Sequence, residues 1–239
     1  MTRAELKSSA RDQLRGNWLW AVGLSFVAGF IAYVLEDINE YFATGNDVIY
    51  RAVRSFAGGE IYAVESYKAN PFSGIFSILV SIFTIILMWG VTYTILEFRD
   101  NGDTPNILKG MFSGYTGGRF STTFITSILV AIFTFLWTLL LVIPGWVKAY
   151  SYSMTPYIMK DYYTSGKTPK ATEAINASRR LMNGHKTDLF VLDLSFIGWG
   201  ILGILTCGIG FLWITPYYRQ TKANFYRKLA GNQFLTNDK

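Results

Sequence analysis

The fold class is decided by residues 122–157, which read TTFITSILVAIFTFLWTLLLVIPGWVKAYSYSMTPY. The first 26 residues of this stretch contain no charged side chain. An α-helix needs only about 20 apolar residues to cross a hydrocarbon core of about 30 Å. Pro144 and Gly145 then give a strong turn signal, after which polar side chains become frequent. The stretch therefore predicts a membrane-spanning helix, a tight turn and a second, more polar helix.

Three further runs have the same apolar character, at residues 18–35, 72–96 and 189–214, and only the last contains a charged side chain, Asp193. The composition agrees, because 51% of all residues are hydrophobic and 16% are charged, outside the usual range of soluble proteins. A long charged segment precedes the first run and no small-residue cleavage site follows it, so we interpret this run as a retained signal anchor. We therefore predict an all-α membrane protein.

Cysteine and histidine each occur once, as Cys207 and His185. A single chain therefore cannot build a disulfide framework or a Cys/His metal site. The sequence carries no hydrolase, metalloprotease or EF-hand motif, and Gly166-Lys167-Thr168 lacks the earlier glycine of a phosphate-binding loop. We expect no enzymatic activity and no cofactor. The net charge of +6 indicates cytoplasmic loops and contact with lipid headgroups, and does not indicate nucleic-acid binding.

The charge distribution predicts how many times the chain crosses the membrane. Basic residues precede the first run, at Arg3, Lys7, Arg11 and Arg15, whereas the connection at residues 36–71 is mainly acidic. Four simple crossings would place the basic segment 148–188 outside, against the tendency of basic loops to stay in the cytoplasm. Tight turns at Pro144-Gly145 and at residues 206–210 remove the conflict. We therefore predict six crossings, with both termini in the cytoplasm of a bacterial-type cell and the protein in its cytoplasmic membrane.

A threefold internal repeat is suggested by Thr155-Pro156-Tyr157 and Thr215-Pro216-Tyr217, which follow the two turns at similar distances. The repeats cover about residues 1–98, 104–163 and 168–229 of a single membrane domain at residues 1–229, and residues 230–239 form a cytoplasmic tail. Each repeat is a hairpin of two crossings preceded by an amphipathic helix along the cytoplasmic surface. The alternative is that proline and glycine recur because membrane hairpins in general use them.

The three amphipathic helices show apolar residues at helical spacing. Their apolar faces are Leu6, Ala10 and Leu14; Ile107, Leu108, Met111 and Phe112; and Ala171, Ala174, Ile175, Ser178, Leu181 and Met182. Thr2 and Glu5 predict a capping box for the first helix. Thr104-Pro105 and Thr168-Pro169 predict a threonine cap followed by proline for the other two.

Polar residues within the crossings are the candidate binding residues, because a charge at depth in a membrane requires a partner or a wet cavity. We expect Asp193 to pair with Arg219 or Lys222 across the third hairpin; the alternatives are a purely structural pair or basic side chains that reach the interface. Tyr152 and Thr155 lie on the polar fourth crossing. They either line a substrate pathway or serve close helix packing. These five residues form a hypothetical polar face inside the membrane.

Several motifs together resemble a known family. They are Ile143-Pro144-Gly145, Tyr150-Ser151-Tyr152-Ser153-Met154, Asp193-Leu194-Ser195-Phe196-Ile197-Gly198-Trp199, Gly208-Ile209-Gly210 and Pro216-Tyr217. The chain resembles an uncharacterised family of integral membrane proteins of Gram-positive bacteria that is classed as a domain of unknown function. More distantly it resembles the membrane domain attached to some glycerophosphodiester phosphodiesterases. These resemblances imply membrane residence and fold, and they transfer no catalytic residue.

Two functions remain compatible with these features. The first is a non-enzymatic membrane protein that binds a lipid, a peptide or a partner protein in envelope maintenance or export. The second is a transporter or permease of a small or amphiphilic solute, favoured by Asp193 and the polar helices. Expected partners are membrane lipids and either a second copy of the chain or another membrane protein. An intramembrane enzyme would need a cluster of acid, base or metal groups that the sequence does not show.

Overall fold

The computed structural model describes residues 2–44 and 71–235, and every regular element within these ranges is an α-helix. The helices are α1 (Arg3–Leu14), α2 (Trp18–Thr44), α3 (Pro71–Asn101), α4 (Ile107–Met111), α5 (Phe120–Leu140), α6 (Val142–Tyr152), α7 (Thr155–Thr164), α8 (Ala171–Leu181), α9 (Lys186–Leu194), α10 (Ile197–Leu205) and α11 (Phe211–Ala230). The predicted all-helical class is therefore confirmed.

Four segments in the described part of the chain are long and apolar enough to cross a membrane, and they coincide with the four apolar runs of the sequence. They are Trp18–Glu40, Gly74–Asn101, Phe120–Leu140 and Lys186–Leu205. Helix α2 continues past the predicted end of the first apolar run, residue 35, to Thr44. Most of the acidic connection predicted at residues 36–71 lies outside the described residues.

The helices α6 and α7 run back along α5. Three contacts report this antiparallel arrangement: the Lys148 Nζ lies 4.3 Å from the ring centroid of Trp137, the rings of Phe133 and Tyr152 are 6.4 Å apart, and the hydroxyls of Thr123 and Tyr163 are 3.1 Å apart. The reversal occurs at Leu141 (φ −159°, ψ 136°). The turn was predicted three residues later, at Pro144-Gly145, and that position is wrong.

Pro144 and Gly145 instead lie in the first turn of α6. A proline fits there because the first N–H groups of a helix have no partner within the helix. A Cβ atom on Gly145 would lie 2.6 Å from the Cα of Thr138, so glycine permits the close approach of α5 and α6. Pro144 and Gly145 therefore serve the start of α6 and its packing on α5, just after the reversal.

The helices α9 and α10 pack against α11 in a similar antiparallel manner. The rings of Phe196 and Tyr217 are 5.4 Å apart, and a hydroxyl of Tyr218 donates to Asp193 at 2.9 Å. The chain reverses between Leu205 and Phe211, through Cys207 (φ 51°) and Gly208 (φ 89°). The helices α2 and α3 also pack together, and the rings of Trp20 and Phe98 are 4.9 Å apart.

The short helices lie against the longer ones. Helix α1 packs on α11, α4 on α3 and α2, and α8 on α5 and α7. The buried residues of α1 are the predicted ones, Leu6, Ala10 and Leu14. The predicted capping box is also present: the Thr2 N–H donates to Glu5 at 2.9 Å, and the Glu5 N–H donates to Thr2 at 3.3 Å. The backbone hydrogen bond from Thr2 lowers the pKa of the Glu5 carboxyl.

The other two helix starts were predicted too early. Helix α4 begins at Ile107, where the side chain of Asn106 accepts from the Leu108 N–H at 2.9 Å. Helix α8 begins at Ala171, where the Lys170 N–H donates to Glu173 at 3.2 Å. Both caps follow the Thr-Pro pair, so each proline lies in the non-helical segment before its helix.

Buried and exposed apolar residues occupy different parts of the bundle. The main core includes Leu87, Val91, Ile95, Leu96, Met154, Ile158, Met159, Ala174, Ala177, Leu189, Ala223, Phe225 and Tyr226. Many apolar residues next to the two reversals are instead exposed, among them Leu139, Leu140, Leu141, Ile143, Ile204, Leu205 and Ile209. Exposed apolar surface of this extent is typical of a protein that contacts lipid or another protein.

Candidate functional site

Asp193 lies on α9 and is held by two tyrosines from different helices. The hydroxyl of Tyr150 on α6 donates to the Oδ2 of Asp193 at 3.0 Å. The hydroxyl of Tyr218 on α11 donates to its Oδ1 at 2.9 Å. Each carboxylate oxygen therefore has a donor, and the two hydrogen bonds connect α6, α9 and α11 at one point.

The expected ion pair between Asp193 and Arg219 or Lys222 is not formed within the described residues. Instead, the Lys222 Nζ lies 5.5 Å from the ring centroid of Tyr218, the residue one helical turn before it. Arg219 follows Tyr218 directly and therefore points about 100° away on the helix, towards α3. Its Nη2 donates to the Sδ of Met88 at 3.3 Å. Tyrosine hydroxyls thus take the positions that the sequence assigned to the cations.

Neither Arg219 nor Lys222 forms a salt bridge with a carboxylate in the described part of the chain. Arg219 and Lys222 are both half-buried. Elsewhere, the Lys160 Nζ lies 2.8 Å from a carboxylate oxygen of Glu97. A desolvated cation is costly without a compensating charge. The pair in the middle of α11 therefore leaves excess positive charge beside a single carboxylate, Asp193.

Tyr152 and Thr155, the other predicted binding residues, lie on α6 and α7. Tyr152 is 5% exposed and packs on Phe133, and Thr155 is fully buried. The Thr155 Oγ1 has no hydrogen-bond partner within the described residues. The structure gives no hydrogen bond, ion pair or ring contact between either residue and Asp193 in this part of the chain, so they remain separate from the tyrosine-bound carboxylate.

Helices are interrupted on several sides of Asp193. Helix α6 ends and α7 begins around Ser153 and Met154, α9 ends and α10 begins around Ser195 and Phe196, and Pro216 lies inside α11. An interruption frees backbone carbonyls that must be satisfied within the protein. The Lys7 Nζ of α1 donates to the carbonyl of Ser195 at 2.8 Å. One of the interruptions is therefore stabilised by the first helix.

A second polar cluster, which sequence reasoning missed, joins α3, α7 and α11. The guanidinium of Arg227 donates to both oxygens of Asp161, at 2.9 Å each, and also pairs with Asp100. The hydroxyl of Tyr226 donates to Asp161 at 2.6 Å. Every member of this cluster has a partner, so it leaves no polar group for a ligand and we interpret it as structural.

The side chains at the site offer hydrogen-bond donors to a ligand. Among the described residues, no three His, Cys, Asp or Glu side chains are grouped so that they could hold a metal ion. The ammonium of Lys222 and the guanidinium of Arg219 offer several N–H donors, and neither has a carboxylate partner in the described part of the chain. Donors of this kind suit an anionic ligand.

Comparison with known proteins gives a family without an assigned activity. The chain has no significant match to a curated protein or to a solved structure. Two overlapping stretches, residues 1–151 and 138–233, match one family, and together they cover nearly the whole chain. The apolar helices are compatible with a membrane protein. The chain belongs to the family described as "Protein of unknown function (DUF975)".

Proposed function

We propose that the chain is a non-enzymatic membrane protein that binds an anionic amphiphile, a lipid with a negatively charged headgroup, in the service of envelope maintenance or export. The observation that carries the proposal is the half-buried pair Arg219 and Lys222, which has no carboxylate partner in the described part of the chain. An anionic headgroup would supply the missing negative charge.

A groove between α2 and α11 supports an occupant with an acyl chain. It has a volume of about 540 Å³, which is within the usual range of ligand sites. Its lining includes Phe26, Phe30, Phe211, Leu212 and Thr215. Leu212, Thr215, Arg219 and Lys222 follow one another at spacings of three and four residues, which places them along one face of α11. The apolar groove and the cations are therefore successive parts of one helix face.

The prediction for this site is a loss of lipid affinity when the cations are removed. Arg219→Gln together with Lys222→Gln should weaken phosphatidylglycerol binding to the purified full chain, because charge-assisted hydrogen bonds are lost. We expect the affinity to fall about tenfold or more, which corresponds to about 1.4 kcal/mol of binding free energy. Native mass spectrometry of the detergent-solubilised protein measures the retained lipid. The matched control is Lys109→Gln with Lys228→Gln, two exposed lysines whose loss changes the net charge equally. Equal losses in both double variants would contradict the proposal.

We also propose the six-crossing topology, with both termini in the cytoplasm of a bacterial cell. The antiparallel packing of α6 and α7 on α5, and of α11 on α9 and α10, supports it by making both reversals tight. The positive-inside tendency supports the orientation. The resemblance to Gram-positive membrane proteins and to the membrane domain of phosphodiesterases is consistent with such a protein.

Cys207 provides a direct test of this topology. It is the only cysteine of the chain, it is exposed, and it lies in the reversal between α10 and α11. In intact cells a membrane-impermeant maleimide should label the wild-type protein and should not label Cys207→Ser. In the Cys207→Ser background, a cysteine introduced by Lys170→Cys should be protected until the cells are permeabilised. Labelling of the Lys170→Cys protein in intact cells would rule out six crossings.

Transport of a small or amphiphilic solute is the second candidate function. It is favoured by the interrupted helices around Asp193, because transporters commonly build their central sites from discontinuous helices. Flux of a fluorescent anionic lipid or solute in proteoliposomes would separate the two functions. Binding without flux supports the accessory role, and flux that depends on Asp193 supports transport.

A further inference from the structure

A basic cavity lies between α6, α8 and α9, and neither Asp193 nor Tyr150 is among its lining residues. Its volume is about 420 Å³. Its lining is Lys148, Ser151, Asn176, Arg179, Arg180, Asn183 and Lys186. The lining residues thus comprise four cations, two amides and a hydroxyl, with no carboxylate among them.

The cations come from three helices and lack carboxylate partners within the described residues. Lys148 belongs to α6, Arg179 and Arg180 to α8, and Lys186 to α9. The structure gives them no salt bridge in this part of the chain, whereas Lys167, which precedes α8, pairs with Glu173. Like charges that converge on a cavity repel one another, and an anion bound among them would relieve this repulsion.

The cavity is fixed in shape by a buried contact between two of its walls. The Oγ of Ser178 donates to the carbonyl of Ser151 at 2.8 Å, and Ser178 is fully buried. This hydrogen bond holds α8 on α6. The cations therefore belong to packed helices, which limits the ordering that a ligand would have to impose.

Apolar surface adjoins the cavity. The Lys148 Nζ lies 4.3 Å from the ring centroid of Trp137, which is 36% exposed. Phe190, one turn beyond Lys186 on α9, is 41% exposed. A basic pocket beside exposed aromatic residues is the arrangement expected where a phosphate group meets an apolar chain, and basic pockets between membrane helices bind lipid headgroups.

We propose that this cavity is a phosphate-binding site, separate from Arg219 and Lys222. A phosphate oxyanion accepts hydrogen bonds from Arg179 and Arg180, and Lys148 and Lys186 balance its remaining charge. The phosphate belongs to a lipid headgroup or to a soluble phosphate compound. The proposal does not depend on the site at Arg219 and Lys222, since the two sites share no residue.

The experiment compares ligands and variants of the purified full-length protein. Native mass spectrometry counts the tightly retained phosphatidylglycerol molecules, and a thermal shift assay measures the response to inorganic phosphate, glycerol phosphate and phosphatidylcholine. Arg179→Gln with Arg180→Gln should weaken phosphate-dependent binding about tenfold or more. A change of this size is what the loss of one charge-assisted hydrogen bond would cause. The lipid that depends on Arg219 and Lys222 should be retained. Lys109→Gln with Lys228→Gln is again the control of equal charge.

The melting temperature of the lipid-free protein shows whether a variant loses binding only because it has lost its fold. Removing cations that repel one another should leave the melting temperature of the lipid-free protein unchanged or raise it, and Lys186→Gln provides a second, milder variant. If the Arg179/Arg180 variant loses only the binding of phosphatidylglycerol, the phosphate belongs to a lipid. If the variant loses its thermal response to glycerol phosphate or inorganic phosphate, the phosphate belongs to a soluble compound. Unchanged binding in the Arg179/Arg180 variant, or equal binding of phosphatidylcholine, overturns the proposal.

Discussion

Replacing Arg227 with glutamine should lower the free energy of unfolding by about 3–5 kcal/mol, the range found when one partner of a buried ion pair is removed. Arg227 is 7% exposed and Asp161 is 1% exposed. The substitution leaves Asp161 and Asp100 close together without their shared cation, and it removes the bidentate contact that joins α7 to α11. Unfolding in mixed micelles, followed by circular dichroism, measures the change.

The companion variants separate charge from packing. Asp161→Asn should cost less than Arg227→Gln, because Arg227 keeps its pairing with Asp100. The double variant should lose less than the sum of the single losses, since it leaves no isolated charge on either of the two helices. Lys228→Gln, on the same helix and exposed, is the control and should have little effect. Strict additivity of the two single variants would contradict a coupled pair.

The four long apolar helices could be predicted because the requirement for crossing a membrane is compositional. A chain that crosses hydrocarbon must satisfy its backbone internally and present apolar side chains over a fixed length, and both conditions are visible in the sequence. The position of the reversal at Leu141 could not be predicted from Pro144 and Gly145, because both residues are also compatible with the first turn of a helix. The same ambiguity displaced the predicted starts of α4 and α8.

The candidate site was predicted less completely. Depth in the membrane identified Asp193, Arg219 and Lys222, but charge alone suggested that they pair with one another. The structure satisfies Asp193 with the hydroxyls of Tyr150 and Tyr218 instead. A tyrosine in an aromatic-rich chain carries no sequence signal of its partner, since the chain has 15 of them. Only the packing of α6 and α11 around α9 distinguishes Tyr150 and Tyr218 from the other tyrosines.

The Arg227 cluster was missed for a related reason. Its members come from α3, α7 and α11, and no spacing within one helix relates them. The basic cavity is likewise distributed over three helices, although each of its cations was visible in the segment 148–188 that fixed the topology. Sequence reasoning placed those cations on one side of the membrane. It could not show that four of them converge.

The close approach of α3 and α4 gives the second large expected effect. A Cβ atom on Gly90 would lie 2.1 Å from the carbonyl oxygen of Met111, which is a backbone atom and cannot rotate away. Two hydrogen bonds hold the backbones together at this contact: the hydroxyl of Ser113 donates to the carbonyl of Gly90 at 3.0 Å, and the hydroxyl of Thr94 donates to the carbonyl of Gly110 at 2.8 Å. A methyl group at Gly90 must therefore separate two helices that are joined on both sides of it.

Gly90→Ala should destabilise the protein by about 1–3 kcal/mol or more, because overpacking forces backbone shifts. Gly29→Ala on α2 is the matched control, since its added Cβ meets no atom within 4 Å. Alanine is the better helix former, so the control should be neutral or stabilising by up to about 1 kcal/mol. The two substitutions add the same methyl group to an apolar helix, and only Gly90→Ala should lower the stability. Thermal unfolding in detergent measures both, and a Gly90→Ala protein as stable as the Gly29→Ala protein would show that α3 and α4 do not approach this closely.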